Sequence, residues 1–167
     1  MGGVIGRRRP PVVIPSTPWY TRFWLRLFNP LMRAEIRKGA YTRSMENLIL
    51  LHFTGRKSGR LYEVPVMKQD LGGRVGVLTE AGWRANFRGG MDIEVTDRGV
   101  RRPMTARLET DPEALADLAQ EILAESGRAG LERLGIVLTV PRDPTRGELT
   151  EAVRRHGTGV VFLTPRD

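Results

Sequence analysis

The chain has 167 residues, 40% of them hydrophobic and 28% charged, enough for one domain with a core of its own. It has no cysteine, which excludes disulfides and thiolate metal sites, and its two histidines, His52 and His156, make a histidine-based metal site a poor expectation. No apolar run approaches the ~18 residues of a spanning helix and the N-terminus has no signal-peptide core, so the expected location is cytoplasmic. The net charge of +8 is uneven. Residues 1–40 hold eight cations against Glu35, a net +7, which leaves +1 for residues 41–167. A nucleic-acid binder spreads its basic footprint over the domain surface; this charge belongs to an N-terminal arm, and no nucleic-acid partner is expected.

Residues 1–16 are rich in Gly, Pro and Arg without periodicity and read as a flexible lead; residues 17–167 read as a single domain. Ser16 or Thr17 followed by Pro18 starts a helix that runs to Gly39. Its apolar residues fall in pairs from Trp19 to Met32, with Arg22, Arg26 and Arg33 grouped on one narrow face. Such a helix either docks its broad apolar face on the body or touches a membrane surface.

Leu48–Gln69 reads as strand, tight basic turn, strand: an apolar run to Thr54, a reversal at Gly55-Arg56-Lys57-Ser58-Gly59-Arg60, and a return through Leu61, Val64, Val66 and Met67. Three cations and a hydroxyl at a turn are more than a hairpin needs, and a bound anion would relieve their repulsion. Asp70–Gly73 reads as a turn, Arg74–Thr79 as a third strand, and Trp83–Gly90 as a short helix with Trp83 and Phe87 on one face. Met91–Thr96 and Val100–Leu108 are the fourth and fifth strands, the latter with Pro103 signalling an edge or bulge. Thr110 to Glu113 has capping-box spacing and opens an amphipathic helix closed by Gly127. Leu131–Val140 is left between helix and strand. Asp143–His156 reads as a polar helix ending at Gly157, and Val160–Leu163 as a last strand. Hairpin-linked strands with peripheral helices predict an α+β fold, a six-stranded antiparallel barrel closed by the C-terminal strand.

An apolar strand running into Thr-Gly-Arg-Lys-Ser-Gly-Arg, a second strand with Val64-Pro65, and a third leading to Trp-x-x-Asn-Phe resemble the deazaflavin (coenzyme F420)-dependent nitroreductase family. The closing Val160–Pro165 and the aromatic-basic N-terminal helix are similar too. The resemblance implies a split β-barrel of the flavin-reductase type and a hydride passed from reduced F420 to a small quinone, nitroaromatic or enone, with FMN as the alternative cofactor. It places the cofactor's phosphate and acidic tail on Arg56, Lys57, Ser58, Gly59 and Arg60. It places the rings near Thr79, Glu80, Ala81 and Gly82, counts Pro65 among the cofactor-binding residues, and has Trp83, Arg84 and Asn86 framing the groove. The family's usual Gly-rich loop is longer than Glu80-Ala81-Gly82, and Glu80 sets an acid beside a polyanion's path. That departure admits a second expectation, a non-enzymatic split-barrel binder of a lipid or other apolar or acidic ligand at the membrane surface. Tyr41, Tyr62 and His52 are the candidates for proton delivery, His52 reading more simply as a core residue. A homodimer is the expected assembly.

Overall fold

The computed structural model describes residues 9–15, 30, 33–39 and 46–167. Tyr41 and nearly all of the Trp19–Met32 segment, with its predicted membrane face, lie outside them. The elements run β1 (Val12–Val13), β2 (Leu48–Thr54), β3 (Leu61–Met67), β4 (Gln69–Leu71), β5 (Arg74–Thr79), a 3-10 helix (Gly82–Phe87), β6 (Met91–Asp97), β7 (Val100–Glu109), a long helix (Pro112–Arg133), β8 (Val137–Leu138), a last helix (Arg146–His156) and β9 (Gly159–Pro165). Residues 33–38 are helical, and Gly39 ends that turn with its N–H on the Ile36 carbonyl.

Seven strands form one antiparallel sheet in the order β3-β2-β6-β7-β9-β5-β4. Its two ends, β3 and β4, are consecutive in the chain with Lys68 alone between them, so the sheet has to curl until its ends meet. The result is the expected six-stranded split barrel, with residues 61–71 acting as one bent strand at both edges. Closure is partial. β4 pairs with β5 from Gln69↔Gly76 to Leu71↔Arg74; past Gly76 the pairing of β5 among the described residues is with β9, and that of β3 is with β2. A split therefore opens between the free edge of β3 and the end of β5.

β2 is apolar throughout because both its faces are covered. Ile49, Leu51 and Phe53 enter the barrel with Val77, Ile93 and Val95, while Leu48 and Leu50 pack outward against Ile36. A second core joins the barrel to its helices: Leu115, Leu118 and Ile122 of the long helix meet Leu149 and Val153 of the last helix over Val160. Each such side chain is worth roughly 1.5–3 kcal/mol on burial.

Four local expectations need correction. Asp70 and Leu71, read as turn, belong to the strand Gln69–Leu71, and the reversal is confined to Gly72-Gly73. The long helix is capped by Asp111, whose side chain accepts from the Ala114 N–H, and not by Thr110; Pro112 then sits at the first helical position, where its missing N–H costs nothing. The helix does break at Gly127, as expected, but it resumes and continues to Arg133. Val12–Val13, within the segment read as flexible lead, pairs with Val137–Leu138, and Val12 is only 2% exposed. Pro103 lies where β9 ends: it pairs with Glu94 on one side, β9 pairs with β7 from Met104 onward, and on that other side the Pro103 carbonyl accepts from the Arg166 N–H at 3.2 Å.

Candidate active site

The basic turn closes on its own backbone. Gly55 donates to the Arg60 carbonyl at 2.8 Å and Gly59 to the Gly55 carbonyl at 2.9 Å. Gly59 has φ +65°, a conformation that suits glycine. Gly55 is needed for space: a Cβ there would stand 2.5 Å from the Ser58 hydroxyl oxygen and 2.7 Å from the Tyr62 ring. Ser58 Oγ accepts from the Arg60 N–H and lies 3.2 Å from the Tyr62 hydroxyl.

The turn is then fastened to the 3-10 helix. The Arg56 N–H donates to Asn86 Oδ1 at 2.8 Å, and the Arg56 guanidinium donates to the carbonyls of Arg88 and Gly90, both at 2.7 Å. Asn86 returns its own Nδ2 to the Trp83 carbonyl at 2.8 Å. The two motifs, Gly-Arg-Lys-Ser-Gly-Arg and Trp-x-x-Asn, thus meet in space through direct hydrogen bonds. Beneath the junction the aromatics interlock. Tyr62 stacks on Phe53 at 5.3 Å, Phe53 meets the fully buried Phe87 edge-on at 4.9 Å, and Trp83 meets Phe87 at 5.9 Å.

These bonds sort the cations. Arg56 is spent on carbonyls. Lys57 and Arg60 are exposed, and among the described residues no protein group engages either side chain. Arg84 is spent as well: its guanidinium bridges the Thr79 carbonyl at 2.6 Å and the Gly157 carbonyl at 2.9 Å. Thr79 Oγ1 accepts from the Ala81 N–H at 3.0 Å, which shapes the loop, and a Cβ at Gly82 would meet nothing within 4 Å among the described residues. The Glu80 carboxylate lies 3.1 Å from Nε2 of His156, a residue absent from the sequence-based candidates. Pro65 sits on the outward side of β3, opposite Leu50, while Val64 and Val66 face the core. It borders the split without touching the turn.

His52 stands away from this arrangement. It alternates with Phe53 onto the outer side of β2, where Nε2 lies 2.7 Å from Thr96 Oγ1 and Nδ1 lies 3.7 Å from Glu63. Burial, assisted by the Arg101 charge, pushes its pKa below the ordinary 6.5. It is a core residue with its hydrogen bond satisfied. A cavity of about 650 Å³ also lies elsewhere, between the β3–β4 bend, Gly72-Gly73 and the long helix near Ile122–Leu134, a strand's length from the turn.

Sequence reasoning found the turn and the Trp83–Asn86 segment but missed His156 and the carbonyls of Arg88, Gly90 and Gly157. Every residue has a carbonyl, so those acceptors leave no signal. His156 could have been found from the β5–β9 register, which sets Thr79 opposite Gly159 and brings the end of the last helix to the loop.

A solved structure titled "domain-swapped dimer" is similar at 15% identity over 86% of this chain and 98% of that chain, with a TM-score of 0.41. No curated protein matches. The F420H(2)-dependent quinone reductase family matches residues 24–129, a stretch holding both the basic turn and the Trp83–Asn86 helix. The chain belongs to the F420H2-dependent quinone reductase family, oxidoreductases that pass a hydride from reduced deazaflavin to quinone-like substrates.

Proposed function

We propose that reduced F420 lies in the split bounded by β3, the 55–60 turn and the 79–84 loop, with Lys57, Ser58 and Arg60 receiving its phosphate and acidic tail. One observation carries the reading. The turn is fixed to the 3-10 helix by Arg56 and Asn86, which leaves Lys57 and Arg60 exposed on one short turn without a protein counter-ion among the described residues. A polyanionic tail fits that donor set: Lys57 offers a point charge, Arg60 a two-pronged fork. Bound F420H2 supplies the hydride that reduces the quinone.

The chain's own residues hold and shield. Arg56 and Asn86 fix the distance between turn and helix. Arg84 fixes the loop to the end of the last helix. Tyr62 and Trp83 line the junction with half-exposed rings, suited to flat aromatic partners and to the exclusion of water. No side chain here is assigned as general acid or base, since the cofactor carries the chemistry and the protein positions it.

Equilibrium titration with F420 tests the site. Lys57→Ala and Arg60→Ala should each weaken binding by about tenfold, with a loss that shrinks as salt rises. Absence of binding by the wild-type chain at tens of micromolar would end the reading, and FMN in parallel discriminates the alternative cofactor. Trp19–Met32, aromatic and basic, is the proposed membrane-surface contact, where a lipid-soluble quinone would be met; sedimentation with anionic vesicles tests it. Among the described residues no helix is long and apolar enough to cross a membrane. A second copy of the chain is the proposed protein partner, to be read from sedimentation velocity.

A further inference from the structure

We propose that His156 is a positioning residue for the cofactor, holding the Glu80 carboxylate out of the split so that a polyanion can pass the 79–84 loop. The inference rests on the cofactor site proposed above. Glu80 is the first residue beyond β5, on the loop that borders the split, and a carboxylate free to turn inward there would repel a phosphate and its acidic tail. It lies 3.1 Å from His156 Nε2, with the two side chains 29% and 9% exposed.

Three features hold the imidazole in that place. The β5–β9 ladder sets Thr79 opposite Gly159, three residues after His156. The last helix is ended at a fixed point by Gly157, whose φ is +70° and whose N–H closes on the Val153 carbonyl at 2.8 Å. The Arg84 fork then clamps the Thr79 and Gly157 carbonyls together, flanking the Glu80–His156 contact on both sides. Among the described residues neither ring nitrogen of His156 has a hydrogen bond of good geometry, although both are buried. The close approach to Glu80 is therefore the contact that the imidazole's polar edge makes among the described residues. A buried ring whose nitrogens serve nothing else would be better replaced by an apolar side chain. Its orientation toward Glu80 gives the polar edge a task. His156 lies outside the family-matched residues 24–129, as a local answer to an acid in this short loop would.

The test is equilibrium binding of two ligands: F420, and the deazaflavin nucleoside that carries the ring and ribityl chain without phosphate. His156→Leu should raise the dissociation constant for F420 about fivefold, the effect of one uncompensated charge near a polyanion. It should leave the uncharged nucleoside unchanged. Adding Glu80→Gln to that variant should restore F420 binding to within about twofold of wild type. Equal F420 binding by wild type and His156→Leu overturns the inference, as does an equal loss for both ligands. Glu80→Gln alone tests it without disturbing His156's packing. Binding within about twofold of wild type is expected, because the carboxylate already points away, and a fivefold gain would overturn the proposal. Failure of the wild-type chain to bind F420 at all would overturn the cofactor site itself, a result distinguishable from either of these.

Discussion

Replacing Arg56 separates two roles that its position alone cannot. If it is the fastener described above, Arg56→Ala removes two hydrogen bonds from a charged donor, to the Arg88 and Gly90 carbonyls. Such bonds are worth about 1.5–3 kcal/mol each in buried settings. The guanidinium is exposed, and screening by water takes the pair toward about 2 kcal/mol in total. Arg56→Lys keeps the charge, but one ammonium cannot span two carbonyls as the planar fork does, so roughly half of that loss should remain. Urea unfolding reads the difference as a shift in midpoint at constant slope. Because the fastening sets the spacing of turn and helix, binding of F420 and of its uncharged nucleoside should fall together. The reasoning is refuted if Arg56→Ala unfolds within about 0.5 kcal/mol of wild type, within the spread of neutral surface changes. It is also refuted if the variant loses F420 tenfold while the nucleoside binds normally. That second outcome would make Arg56 a direct ligand of the anion, as its place in the turn first suggests.

Two further outcomes follow from single residues. Gly55→Ala would drive a methyl into the Ser58 hydroxyl and the Tyr62 ring, at 2.5 and 2.7 Å; displacement of that ring from Phe53 should cost about 1–3 kcal/mol in a thermal or urea melt, and a neutral result would show the turn to be looser than described. His52 has a folded pKa below 6.5, set first by burial. As pH falls through 6.5 the unfolded chain takes up the proton first, so stability present above that value declines until the folded pKa is reached. Urea midpoints measured from about pH 8 to about pH 5 should drop in that window, and His52→Gln should flatten this contribution; a rise toward acid would refute the assignment.

The barrel was legible where a strand declares itself over several residues. β2, β5 and β6 show apolar runs or alternation bounded by glycine, and each lies where expected. β1 and β8 are two residues long, too short to show a period, and they exist by pairing with each other across more than a hundred residues of chain. β4 is three residues against a Gly-Gly turn, and its strand character comes from β5 opposite it. At the long helix, two adjacent residues offered caps. Thr110 had the better spacing to Glu113, but only Asp111 puts Pro112 at the first helical position.

The site was legible as segments and illegible as a division of labour. The turn offers Arg56, Lys57 and Arg60 within five residues, and charge alone assigns all three to an anion. The structure uses arginine differently. Arg56 bridges the carbonyls of residues 88 and 90, Arg84 those of 79 and 157, and Arg128 those of 140 and 142. In each case a planar fork takes two backbone carbonyls at once, a task an ammonium's point charge performs poorly. An arginine-rich composition therefore overstates the anion-binding capacity of this chain. Lys57 is a cation of the turn that could not have been spent in that way, and Arg60 is one that was not. Subtracting the clamps reduces the turn to those two charges. It leaves the short loop as a segment held at its base by Arg84, where the proposed role of His156 toward Glu80 would set how readily a polyanion passes.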